Sequence, residues 1–183
     1  RIRMRLVCSS NNYCSIPSSN LLLNKNARSG HCWVIISMTE IRPLEPKQIA
    51  ELYLIEQAAN PYPWSEKVFA SCFGERYFSF GIYLQEQLQG FYFGQHIAVE
   101  AQLFNICVRV DAQGQGLGAQ LLQHFIAQCQ QRQVLDAWLE VRESAKHAIQ
   151  LYQKYGFIET GRRANYYVNA AGREAAVLMA LPL

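Results

Sequence analysis

The segment Gln113-Gly114-Gln115-Gly116-Leu117-Gly118-Ala119 sets three glycines at alternate positions between an apolar run and an amphipathic one. Glycine lets a backbone approach an anion closely, and the first N–H groups of a following helix lack partners within it. Such a segment suits a phosphate-bearing ligand. A second group is Glu140, near the end of a β-rich run among Trp138, Leu139 and Val141. A carboxylate partly desolvated there would titrate higher than usual and could act as a general base; it could equally pair with Arg142 or be an edge-strand charge. Tyr152 shares a helical stripe with Ala148 and Ile149, so it is either a core aromatic or a phenolic acid. Cys107, inside an apolar run, reads as a small core residue and not as a nucleophile.

The glycine segment has a sharper competitor. Gly114-x-Gly116-x-x-Ala119 fits the dinucleotide fingerprint, and Asp136 lies about twenty residues on. That acid should end its strand beside a ribose, whereas Asp136 begins one, and the fingerprint should open a series of βα units that this chain lacks. No Gly-Lys-Ser/Thr follows, so the segment is not a P-loop either.

The elements that must position these groups begin at Thr39–Leu44, a short strand ended by Pro43 and Pro46. Residues Lys47–Ala59 have helical spacing and stop at Asn60-Pro-Tyr-Pro, and Ser65 caps a second short helix over Glu66–Phe73. Tyr77–Leu84 and Gly90–Ala98 read as a hairpin turning near Glu86–Gln89, and Leu103–Val110 as an apolar strand. Leu117, Leu121, Leu122, Phe125, Ile126 and Cys129 trace a helix to Gln131. A strand at Val134–Val141, a helix over Ala145–Tyr155 closed by Gly156, and strands at Phe157–Arg163 and Ala175–Leu181 about a loop with Gly172 complete the order. This is one α/β domain with a mixed sheet, a meander followed by a single βαβ crossover.

Of 183 residues, half are hydrophobic and 17% charged, which excludes a disordered chain. The formal charge of +3 suggests nucleic acid until it is located. Residues 1–37 hold five basic and no acidic residues, leaving 12 basic against all 14 acidic for 38–183, a net of −2. Segment 1–37 reads as a disordered or non-native extension before a natural start at Met38, and 38–183 as the working domain. No direct nucleic-acid partner is expected. The six cysteines form no C-x-x-C pair, which argues against zinc or a redox dithiol and for a reducing, cytoplasmic compartment. No apolar run approaches the roughly 18 residues of a membrane span, so no membrane partner is expected.

Gln113-x-x-Gly116-x-Gly118 after a strand resembles the acetyl-CoA signature of the GNAT acetyltransferases. Other stretches resemble the ribosomal-protein-alanine N-acetyltransferase branch of that superfamily. They are Tyr62-Pro63-Trp64-Ser65-Glu66-Lys67, Gly74-Glu75-Arg76-Tyr77-Phe78, Leu103-Phe104-Asn105-Ile106, Trp138-Leu139-Glu140-Val141-Arg142, Leu151-Tyr152 with Tyr155-Gly156-Phe157, Arg163-Ala164-Asn165-Tyr166-Tyr167, and Gly172-Arg173-Glu174. The likeness covers 38–183 and implies the GNAT acyl-CoA N-acyltransferase fold: a single domain with a central, mostly antiparallel sheet and a βαβ acetyl-CoA-binding core.

The resemblance also implies the reaction: direct acetyl transfer from acetyl-CoA to a protein's N-terminal amine, an alanine of small-subunit ribosomal protein bS18, with no metal. Glu140 would be the base and Tyr152 the acid, with Tyr155 as fallback. Ile106, Cys107 and Val108 would hold the pantetheine arm, Val108 N–H facing the thioester carbonyl. Gln113, Gly114, Gln115, Gly116, Leu117, Gly118 and Ala119 would take the pyrophosphate. Tyr62, Trp64, Asn165 and Tyr166, on aromatic loops, would meet the protein substrate, or merely anchor those loops. The chain departs from the pattern at Ala145, where this branch has an Asn reaching CoA; weaker CoA binding is expected. The alternatives are a GNAT enzyme for another N-terminus or a small amine, and a non-catalytic acyl-CoA- or RNA-associated module.

Overall fold

The computed structural model describes residues 39–183; the extension 1–37 and the start at Met38 lie outside the described residues. In chain order the elements are β1 (Thr39–Pro43), α1 (Ile49–Ala59), α2 (Glu66–Ser71), β2 (Tyr77–Leu84), β3 (Gln87–Ile97), β4 (Glu100–Val108), α3 (Leu117–Gln131), β5 (Asp136–Arg142), α4 (Lys146–Lys154), β6 (Ile158–Asn169) and β7 (Gly172–Pro182). The strands form one sheet in the order β1-β2-β3-β4-β5-β7-β6. Only β4 and β5 run parallel, joined through α3; the remaining neighbours are antiparallel. The meander and the single crossover expected from the sequence are both present.

Several boundaries differ from the sequence reading, the main ones for local reasons. The β2–β3 turn is only Gln85-Glu86, at φ 49° and 66°, so β3 begins at Gln87. Strand β4 starts at Glu100, because Ala98-Val99 turns tightly without glycine and only Ala101 of the first three residues is buried. It ends at Val108, with Val110 in a short 3-10 turn. The expected loop between the last two strands is a hairpin, with Asn169 paired to Gly172 and the Asn169 side chain accepting from Ala171 N at 2.9 Å.

Both faces of the sheet are covered. On one, α3 buries Leu117, Leu121, Leu122, Phe125 and Cys129, with Phe125 stacked on Phe78 at 5.6 Å. Helix α4 adds Tyr152 to that core. On the other face, α1 and α2 bury Leu52, Ile55 and Phe69 against Phe91 and Phe93. Ser65 caps α2 by accepting from Val68 N.

One irregularity creates the site. Phe93 pairs with Asn105 but Gly94 pairs with Leu103, so Phe104 is an extra residue, a bulge in β4. A bulge bends its strand. Pairing between β4 and β5 runs from Glu100–Asp136 to Leu103–Leu139 and stops there, where the bulge lies. Beyond that point the two parallel strands part and leave a gap in the middle of the sheet.

Candidate active site

The gap opens into a cleft of about 580 Å³. One edge is the end of β4. Arg109 N donates to Gln89 O at 2.8 Å, which fixes the phase of the β3–β4 ladder. Asn105 and Cys107 therefore direct their backbone groups to β3, while Ile106 and Val108 turn theirs into the gap. Gln113 Nε2 donates to Val108 O at 3.1 Å, leaving the Val108 N–H facing the cleft. Cys107, expected as a strand-edge contact, lines the cleft with its backbone directed to β3 and its side chain buried. Burial, with Glu56 alongside, pushes its thiol well above the ordinary range, which argues against a nucleophile.

The glycine segment leads from this edge into α3. Gly114 and Gly116 have φ of 74° and 81°, and a Cβ at either would meet nothing within 4 Å. Glycine is required there by backbone conformation, and the space above the loop is open. Gly116 is the N-cap of α3 and no side chain caps it, so the amides of Leu117, Gly118 and Ala119 are left for an anion. Leu117 supplies only its amide, since its side chain is in the core. Gln115 turns its side chain to Asp111 O, and Arg109 is engaged by both oxygens of Asp111, so these side chains brace the loop.

The opposite edge is β5. Leu139 and Val141 face the core that contains Tyr152, so alternation puts Glu140 and Arg142 on the other face. Glu140, only 11% exposed, lines the cleft and pairs with Arg163 at 2.6 Å. The partner is therefore not Arg142. Tyr152 reaches the same gap from the α4 side. Burial, with Tyr167 nearby, raises its phenol above the ordinary tyrosine range, so it stays protonated and able to donate. Tyr155 ends α4 and packs against the core. Ala145, the N-cap of α4, offers no capping side chain.

At the far end the cleft is walled by side chains. Tyr62 and Trp64, from the α1–α2 connection, line it; Trp64 also packs on Phe69 at 5.5 Å. The loop expected at Asn165 and Tyr166 is corrected. They lie within β6, in a bulge where Arg163 pairs with Ala176 and Tyr167 with Glu174. Asn165 is left-handed at φ 54°, Tyr166 is exposed, and it is Tyr167 that enters the cleft, its hydroxyl donating to Glu140 O at 3.3 Å.

Four charged residues of the site escaped the sequence reading as site residues: Glu56, Arg142, Arg163 and Glu174. Glu56 is 1% exposed and lines the cleft, with Oε1 accepting from Asn60 Nδ2 at 3.0 Å and Oε2 unpartnered. A buried carboxylate of this kind asks for a role. Its position, four residues after Leu52 on the apolar stripe of α1, was a readable signal. The two arginines and Glu174 gave none, since their partners are distant in sequence. No group of three or more His, Cys, Asp or Glu among the described residues is placed to hold a metal ion, and no helix there is long and apolar enough to cross a membrane.

A parallel pair parted by a bulge, with uncapped amides at the next helix, is the site of an acyl-CoA-dependent acyltransferase. Residues 48–157 match the acetyltransferase (GNAT) family, and the chain belongs to it. It is 47% identical over 146 residues to the [ribosomal protein bS18]-alanine N-acetyltransferase of Escherichia coli (strain K12), covering 80% of this chain and 99% of that one. The protein so named from Haemophilus influenzae (strain ATCC 51907 / DSM 11121 / KW20 / Rd) is 42% identical over 144 residues, with 78% and 98% covered. The crystal structure of the ribosomal-protein-S18-alanine N-acetyltransferase from Escherichia coli superposes with a TM-score of 0.77 at 47% identity, covering 79% of this chain and 94% of that one.

Proposed function

We propose that residues 38–183 transfer an acetyl group from acetyl-CoA to the N-terminal alanine of ribosomal protein bS18, a reaction of the cytoplasm. The observation that carries this reading is the placement of Glu140 and Tyr152 on opposite faces of one gap, whose β4 edge runs into the open amides of the glycine loop. The named activity of relatives 47% and 42% identical supports it.

Pyrophosphate on the amides after Gly116 and the pantetheine arm along Ile106 and Val108 would bring the thioester into the gap. The substrate ammonium gives one proton to Glu140, directly or through water, displacing Arg163 as the partner of that carboxylate. The freed amine attacks the thioester carbon, and the carbonyl oxygen becomes an oxyanion opposite the Val108 N–H. Collapse breaks the C–S bond and the CoA thiolate takes the Tyr152 proton; the nitrogen sheds its remaining excess proton, which restores the Tyr152 phenol through solvent, and Glu140 releases the first proton to solvent as product leaves. No covalent enzyme intermediate is involved.

A panel of peptides and amines tests the reading. Ala-initiated peptides matching the bS18 N-terminus should be acetylated faster than peptides with other N-termini, lysine side chains or polyamines. A preference for small amines, or no product from the Ala-initiated peptides, would overturn it.

A further inference from the structure

We propose that Arg142 is the positioning residue of the peptide end of the cleft, a clasp that holds its two walls at a fixed distance; the inference rests on the protein-acetylating reading above. The guanidinium carbon lies 4.6 Å from the Tyr62 ring centroid and 4.5 Å from that of Tyr167, so one planar cation is shared by two aromatic rings. Tyr62 belongs to the α1–α2 connection and Tyr167 to β6, and this side chain of β5 lies against both. Arg142 Nη1 also donates to Val168 O and to Glu174 Oε1, both at 2.9 Å. The other oxygen of Glu174 accepts from Ser144 N at 3.0 Å, which ties the same cluster to the start of α4. Arg142 is thus paired with Glu174 while its plane lies against both rings, and it stands two residues beyond Glu140 on the same face of β5.

Tyr62 is secured from the other side as well. Its N–H donates to Asn60 Oδ1 and Asn60 Nδ2 donates to Glu56 Oε1, each at 3.0 Å. This accounts for one oxygen of that buried carboxylate and ties the Tyr62 backbone to α1, while its ring rests on Arg142. Lysine cannot replace the clasp, because a point charge has no plane to lie between two rings while donating sideways to Val168 and Glu174. The spacing of the peptide walls depends on this one guanidinium.

Arg142→Lys tests the clasp. The KM for an Ala-initiated peptide should rise about tenfold, with the effect concentrated there, while CoA binding by calorimetry and the pH profile stay close to wild type. Tyr62→Leu should cost a similar factor alone and little more in the Arg142→Lys background, since the two residues act through one contact. Additive losses, a fall confined to kcat, or loss of CoA binding by Arg142→Lys would overturn the proposal. If the wild-type protein acetylated no peptide, the functional reading would fail but the clasp would still be measured. Amide hydrogen exchange at 62–64 and 167–169 should then quicken together in Arg142→Lys, and unchanged exchange would overturn it.

Discussion

The end of the cleft proposed for acetyl-CoA is main chain from one continuous stretch, 106–119, while the end proposed for the peptide is side chains gathered from α1, β5, β6 and β7 and the connections beside them. At the first end the groups left open are the Val108 N–H and the amides after Gly116, and the side chains of Gln113 and Gln115 brace them. At the second, Glu140 is held by Arg163, and Arg142 by Glu174, Tyr62 and Tyr167. A cofactor common to many reactions needs only a backbone of fixed shape. A particular amine needs charge and aromatic surface that the backbone cannot provide. Substitutions should therefore separate: backbone-altering changes at 106–119 affect acetyl-CoA, and side-chain changes at the other end affect the amine.

The largest effect expected is at the junction of the two ends. Glu140→Gln should lower kcat/KM by about 10²-fold or more while CoA affinity, followed by calorimetry, holds. Near wild-type turnover would show that Glu140 only anchors Arg163. Tyr152→Phe comes next, with kcat reduced by a factor of about 10 to 100 and the fold retained, since only a hydroxyl is lost. Steady-state kinetics and thermal unfolding decide both.

Gly116→Val should sharpen the division from the cofactor side. A β-branched residue at φ 81° is strained by about 1–3 kcal/mol, and the displaced amides should raise the KM for acetyl-CoA more than that for peptide. Equal changes in both would contradict the separation.

How far each end was legible follows from the same contrast. The glycine segment is contiguous, so its spacing, its strand before and its helix after could be read together, and the order of elements around it matched the fold. The bulge at Phe104 was not legible, because Leu103-Phe104-Asn105 is an ordinary apolar run whose extra residue appears only in its pairing with β3. The peptide end was read in part. Tyr62 and Trp64 were marked by their loop, and the stretch Asn165–Tyr167 was marked as a whole, but which of its rings turns inward was not legible, since that depends on the bulge around Asn165. The pairs Glu140–Arg163 and Arg142–Glu174 join residues brought together only by the β5-β7-β6 arrangement.

Two smaller effects complete the series. Burial raises the acid groups of Tyr92, Tyr152, Cys107 and Cys129 above their ordinary values. Above about pH 9 the unfolded chain releases these protons while the folded one retains them, so the unfolded state binds fewer protons and stability falls as pH rises. Chemical denaturation at pH 7 and pH 10 checks the sign; Tyr152→Phe should lessen the slope. Ala145→Asn should be the mildest change. It supplies the missing cap of α4 and should add roughly 0.5–2 kcal/mol of stability. A modest fall in the KM for acetyl-CoA should accompany it, with that for peptide unmoved.

The most direct measurement is tandem mass spectrometry of an Ala-initiated bS18 peptide after incubation with acetyl-CoA and either wild-type protein or Glu140→Gln. The account predicts one acetyl group on the α-nitrogen of the alanine, formed rapidly by the wild type and at least about a hundred times more slowly by the variant. Acetyl on a lysine side chain, no acetyl at all, or equal rates from the two proteins would contradict it.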